Sequence, residues 1–133
     1  MRPATSATGG CLCGAVRFRI DGELRDVVFC HCTRCRRFHG HVGAYTTCAR
    51  SDLTLIGEGT LRWFTLDGSS RGFCSACGSS LFWSREGLGT ISVAAGALDE
   101  PTGLRPLRDV FVADAGDYYE IADGLERFPS WGT

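Results

Sequence analysis

Residues 9–22 read GGCLCGAVRFRIDG and carry two patterns at once. From Val16 the chain alternates: Val16, Phe18 and Ile20 fall on one side, Arg17 and Arg19 on the other, and Asp21-Gly22 supplies turn residues. Such alternation marks a strand with one face buried and one face wet. Just ahead of it, Cys11 and Cys13 are separated by a single residue. In an extended segment that spacing puts both sulfurs on the same side. The stretch therefore reads as an amphipathic strand whose entrance offers a pair of thiolates.

The same short rhythm continues outward. LTLIGE, LRWFTL (closed by Asp67-Gly68), LFWS, TISVAAGAL, DVFVAD and DYYEI each predict a strand. With 18 glycines and only short apolar runs, helix is limited to a turn or two after Cys32. No repeat, linker or low-complexity segment breaks the chain, and 133 residues suit one domain. The expectation is a single, mainly antiparallel β domain over residues 9–133, preceded by a short flexible tail, residues 1–8. A net charge of -1 and a pI near 6.3 argue against a nucleic-acid coat or a polybasic membrane anchor. No run approaches the ~18 apolar residues of a membrane span, and MRPATSATGG lacks a signal-peptide core, so the chain reads as soluble and cytoplasmic.

In a chain with no export signal, the 8 cysteines point to metal or redox chemistry rather than to disulfides. Cys74-Ser75-Ala76-Cys77-Gly78 has the form of a zinc knuckle, in which two intervening residues turn the chain around the ion. A closed tetrahedral site needs two more thiolates, and Cys11 and Cys13 are an available pair. FCHCTRC leaves Cys30, Cys32 and Cys35 able to meet one ion. Three protein ligands plus an exchangeable position is the arrangement of a catalytic zinc. The second site is instead closed if Cys48, His31, His39 or His41 supplies a fourth ligand. His31, between two candidate ligands, points away from them in an extended segment. His39 and His41 come within reach only if the chain folds back after Gly40. Cys48 reads as a buried small hydrophobe, and Trp63, Trp83, Phe73 and Phe82 as core.

GGCLCGAVRF, CHCTRCRR, GFCSACGSSLF and DVFVADAGDYYEIADGLERF occur in the order and spacing of a known family. The chain resembles the glutathione-dependent formaldehyde-activating enzymes, a family that also includes centromere protein V. The resemblance implies a β fold of the Mss4-like kind. It also implies two zinc ions: a structural one on Cys11, Cys13, Cys74 and Cys77, and a catalytic one on Cys30, Cys32 and Cys35. The activity implied is that of a carbon-sulfur lyase, joining glutathione to formaldehyde as S-hydroxymethylglutathione or reversing that step. The chain departs from the family pattern at Asp109 and Tyr118, where a histidine and a tryptophan are common.

Arg34, Arg36 and Arg37, beside the second cysteine group, are expected to attract the anionic thiol. Two other functions fit the same residues. One is a non-catalytic binding module stabilised by two structural zincs. The other is a redox protein using Cys32-Thr33-Arg34-Cys35 as a dithiol, although nothing nearby resembles the βαβ setting of that motif.

Overall fold

The alternating stretch that begins at Val16 becomes a strand whose apolar side is fully removed from solvent: Val16, Phe18 and Ile20 are each 0% exposed. Its polar side stays outside, Arg17 pairing with Asp99 and Arg19 with Asp21. This chain is described by a computed structural model covering residues 5–131. Among these residues the strands are β1 (Thr5–Gly10), β2 (Arg17–Gly22), β3 (Val27–Cys30), β4 (Gly43–Ala49), β5 (Leu53–Gly57), β6 (Leu61–Leu66), β7 (Ser69–Cys74), β8 (Ser80–Arg85), β9 (Thr90–Ala94), β10 (Pro106–Val110) and β11 (Glu126–Arg127). One helix, α1 (Thr33–His39), interrupts them. None of the described helices is long and apolar enough to cross a membrane.

The strands form two sheets. A small one runs β1-β2-β5, and a large one runs β11-β10-β3-β4-β9-β8-β7-β6. The core lies between them, where Phe18 of the small sheet meets Phe82 of the large one edge to face at 5.3 Å. Leu81, Ile91, Val93, Cys48, Cys11 and Cys74 complete the same apolar cluster. The period of two then sends the other residues of the large sheet to its opposite face. Arg71 pairs with Trp83, Trp83 with Ser92, and Ser92 with Thr47, giving a row across four strands. That second face carries the site.

The mainly β expectation holds, with one addition: β10 runs parallel to both β3 and β11. The connection after β9 returns the chain to the end of the sheet where β3 starts, and the Val27 N–H donates to Arg105 O. The segment read as a tail is partly ordered. β1 starts at Thr5 and pairs antiparallel along β2, with Thr8 Oγ1 2.6 Å from Asp99 Oδ2. The remainder of that tail, residues 1–4, lies outside the described residues. DYYEI forms no strand, because its tyrosines turn their hydroxyls to His31 and His41. Of the aromatics expected in the core only Phe82 is there. Trp63 is 42% exposed on the edge strand β6, and Trp83, next to Phe82, alternates to the opposite face.

Phe18 is the apolar contact that joins the sheets, so Phe18→Ala should lower stability by about 3–5 kcal/mol. Urea unfolding followed by tryptophan fluorescence measures it; a loss below about 1 kcal/mol would mean that the sheets are held together elsewhere.

Candidate metal centres

Two groups of thiols assemble, one from cysteines far apart in sequence and one from a single short stretch. Cys11 and Cys13 sit in the β1–β2 connection, Cys74 ends β7, and Cys77 lies in the turn to β8. Their four sulfurs all lie within 4.8 Å of one another. Cys11 Sγ is 3.6 Å from Cys13 Sγ, which is 3.8 Å from Cys74 Sγ. Four sulfurs each about 2.3 Å from one ion would stand about 3.8 Å apart, so the donor set fits a tetrahedral zinc. Neighbouring groups prepare it for thiolates. The Val16 N–H donates to Cys11 Sγ at 3.2 Å, and the Thr60 and Ser79 hydroxyls reach Cys74 and Cys77, each at 3.2 Å. The Ser79 hydroxyl, then the Ser79 and Cys13 N–H groups, pull Cys77 down to about 5. Gly78 takes φ +80 and donates its N–H to Cys74 O at 2.7 Å, closing the knuckle in a conformation that favours glycine.

The second group forms where β3 runs into α1. Cys30 is the last residue of β3, Cys32 caps the helix, and Cys35 is buried in its first turn. Their sulfurs also lie within 4.8 Å of one another, and no fourth His, Cys or carboxylate among the described residues joins them. Of the alternatives for that place, Cys48 is buried in the core, as expected of a small hydrophobe. His31 points the other way, with Nε2 2.8 Å from Asp109 Oδ1 and Nδ1 2.6 Å from the Tyr119 hydroxyl. His41 bonds to the Tyr118 hydroxyl at 2.6 Å. The chain does fold back after Gly40, but His39 Nε2 meets the hydroxyl of Tyr45 rather than the sulfurs. Gly43 leaves room for that return: a Cβ there would lie 3.0 Å from both rings and 3.2 Å from Cys35 Cβ.

The charge within this group is uneven. Cys32 receives the S–H groups of Cys30 and Cys35 and the N–H of Cys35, so its thiol is held well below the ordinary range. Cys30, hydrogen-bonded to Cys32, moves the opposite way. Burial, then the Arg71 guanidinium, pulls His39 down to about 4 and leaves it neutral near pH 7. Burial pushes Tyr45 up.

All three sulfurs open into a cleft of about 790 Å³ on the second face of the large sheet. Its wall holds Arg25, Arg71 and Arg85, together with Trp83, Phe111 and Trp131. The Phe111 and Trp131 rings meet edge to face at 4.7 Å. Of the arginines expected beside the thiols, only Arg34 lines the cleft, and it is bonded to Asp67 at 2.5 Å. Arg36 and Arg37 do not line it; they follow Cys35 on a helix whose rotation turns them elsewhere. Arg71 and Arg85 were missed because no local pattern marks them: each reaches the cleft only through sheet register. Arg25 comes from the β2–β3 connection, where its N–H donates to Thr47 O and its guanidinium to Tyr45 O. The antiparallel β3 and β4 around α1 also differ from the βαβ setting of a redox dithiol.

The family described as glutathione-dependent formaldehyde-activating enzyme matches residues 6–114. A crystal structure of a Rhodobacter sphaeroides protein, a Northeast Structural Genomics target, is similar at a TM-score of 0.60 and 28% identity, covering 74% of this chain and 97% of that one. No curated protein matches the chain.

The two groups should separate on substitution. Structural zinc contributes about 10 kcal/mol or more to a fold that depends on it. Cys74→Ser should therefore yield insoluble or unfolded protein, whereas Cys32→Ser should stay folded and carry about one zinc fewer, as read by native mass spectrometry and circular dichroism. Equal unfolding by both variants would make both groups structural.

Proposed function

Because the chain belongs to the glutathione-dependent formaldehyde-activating enzyme family, we propose that it joins a thiol of the glutathione class to formaldehyde or another small carbonyl. It also catalyses the reverse carbon-sulfur cleavage. The observation that carries this reading is an incomplete thiol set, Cys30, Cys32 and Cys35, opening into a cleft lined by arginines. A closed structural site would have a fourth protein ligand there.

Zinc held by the three thiolates would supply a Lewis acid that keeps an incoming thiol deprotonated near neutral pH. The remaining work falls to the protein. Among the described residues, Arg25 and Arg85 have hydrogen-bonding partners but no carboxylate: Arg25 donates to Tyr45 O at 3.0 Å and Arg85 to Ser69 Oγ at 2.9 Å. Guanidinium groups held in this way are suited to the two carboxylates of a glutathione-like peptide. Asp114, on the same wall, suits its ammonium group. Trp83, Phe111 and Trp131 cover the peptide and keep water from the reacting pair.

Calorimetry should show glutathione binding that weakens with added salt, about tenfold weaker in Arg85→Ala and within about twofold of wild type in Arg37→Ala, a loss of roughly 1.4 kcal/mol for the first. NMR exchange spectroscopy between formaldehyde, glutathione and their adduct should show faster interconversion with protein than without. Binding without any acceleration would make the chain a thiol-binding module rather than an enzyme.

A further inference from the structure

Arg71 lies in the middle of β7, within SSRGFC, where alternation turns it onto the cleft face. It is only 8% exposed. A guanidinium is always charged, and burying a charge is costly unless it is paired. Yet no carboxylate among the described residues pairs with Arg71. Among the described residues the one polar contact of its guanidinium is Nη1 to Cys35 Sγ at 3.7 Å, and its Cζ lies 5.5 Å from the Phe38 ring centroid. The group is thus held on two sides, beside the thiols. A guanidinium carries five N–H donors, and the Cys35 contact uses one group of them. A counter-ion role toward Cys35 leaves the remaining donors on the cleft wall unexplained.

We propose that Arg71 holds the carbonyl oxygen while a thiol adds to the carbonyl carbon. This rests on the enzyme reading above. In the addition the thiol gives its proton to water, and the sulfur pair forms the new S–C bond. The C=O π pair moves onto oxygen, and that oxygen takes a proton from water. Thiol and formaldehyde thus combine whole into the S-hydroxymethyl adduct, with no other product and no change of oxidant or reductant. Negative charge travels from sulfur to oxygen, and the free guanidinium donors, aimed at the oxygen where charge develops, lower the barrier more than they tighten binding. Arg25 and Arg85, bonded to Tyr45 O and Ser69 Oγ instead, serve the carboxylates. Arg71 is therefore a catalytic residue, distinct from these two anchors.

The test uses the zinc-loaded full chain and three readouts: zinc content by native mass spectrometry, glutathione affinity by calorimetry, and acceleration by NMR exchange. Arg71→Met should keep its zinc and bind glutathione within about threefold of wild type, while its acceleration falls about 10²- to 10³-fold. Arg71→Lys, which keeps the charge and loses the planar fork, should fall between the two. If the methionine variant does not fold, the lysine variant decides on the same readouts. Wild-type acceleration in a zinc-loaded variant overturns the proposal. So does a loss of rate that only tracks lost zinc or lost glutathione binding, which would make Arg71 a counter-ion or an anchor. Absence of acceleration by the wild-type chain overturns the enzyme reading itself, and the role of Arg71 with it.

Discussion

Four thiols gathered at one corner bring a loop of the small sheet against a strand end of the large one, and the position of Arg71 follows from that meeting. Cys11 and Cys13 enter from the loop between β1 and β2, and Cys74 and Cys77 from the end of β7. Cys11 and Cys74 are also members of the apolar cluster that contains Phe18 and Phe82. The candidate metal donors and the hydrophobic core are therefore one continuous body rather than a core with a clip attached. Strand β7 reaches this corner at Cys74 after carrying Arg71 into the cleft. Fixing Cys74 fixes the line of β7, and so the position of Arg71 relative to Cys35.

The large sheet divides its labour by face. On the side toward the small sheet, Phe82, Ile91, Val93 and Cys48 supply burial. On the other side, Arg71, Trp83, Ser92, Thr47 and Tyr45 line a cleft. Period-two alternation makes these two sets inseparable, since a slip of one residue in any strand would exchange them. The apolar contacts that hold the sheets together are thus the same ones that keep cationic and aromatic groups aimed at the second thiol group. The buried Arg71 is costly for stability, and the apolar Phe18–Phe82 contact lies on the opposite face of the same sheet.

Much of this was legible in the sequence, for identifiable reasons. The β2 pattern was unambiguous because one of its faces meets the core and the other meets water. The cysteine groups were legible because ligand spacing is local: C-x-C, C-x-C-x-x-C and C-x-x-C each constrain their own backbone. Strands β4 and β7 were not, because both of their faces are used and neither gives a clean apolar-polar alternation. The cleft arginines escaped for a different reason. Arg34, Arg36 and Arg37 are near the thiols in sequence, but rotation of α1 carries Arg36 and Arg37 away from the cleft. Arg71 and Arg85 are distant in sequence and adjacent only once register is set, and Arg25, though a few residues before Cys30, lies in the irregular β2–β3 connection, where no pattern marks it. The place of Asp109 was equally invisible, since its partner His31 stands 78 positions away.

That last pair constrains which sequences this fold tolerates. His31 is 4% exposed and Asp109 5%, and each satisfies the other, with Tyr119 closing the imidazole from the far side. Replacing either alone would strand a buried polar group without its partner, which is costly in a way that replacing both together is not. Positions 31 and 109 are therefore energetically coupled: a change at one alters the cost of a change at the other. Because position 31 lies between Cys30 and Cys32, this buried pair with the neighbouring strand also anchors the backbone from which two of the cleft thiols project.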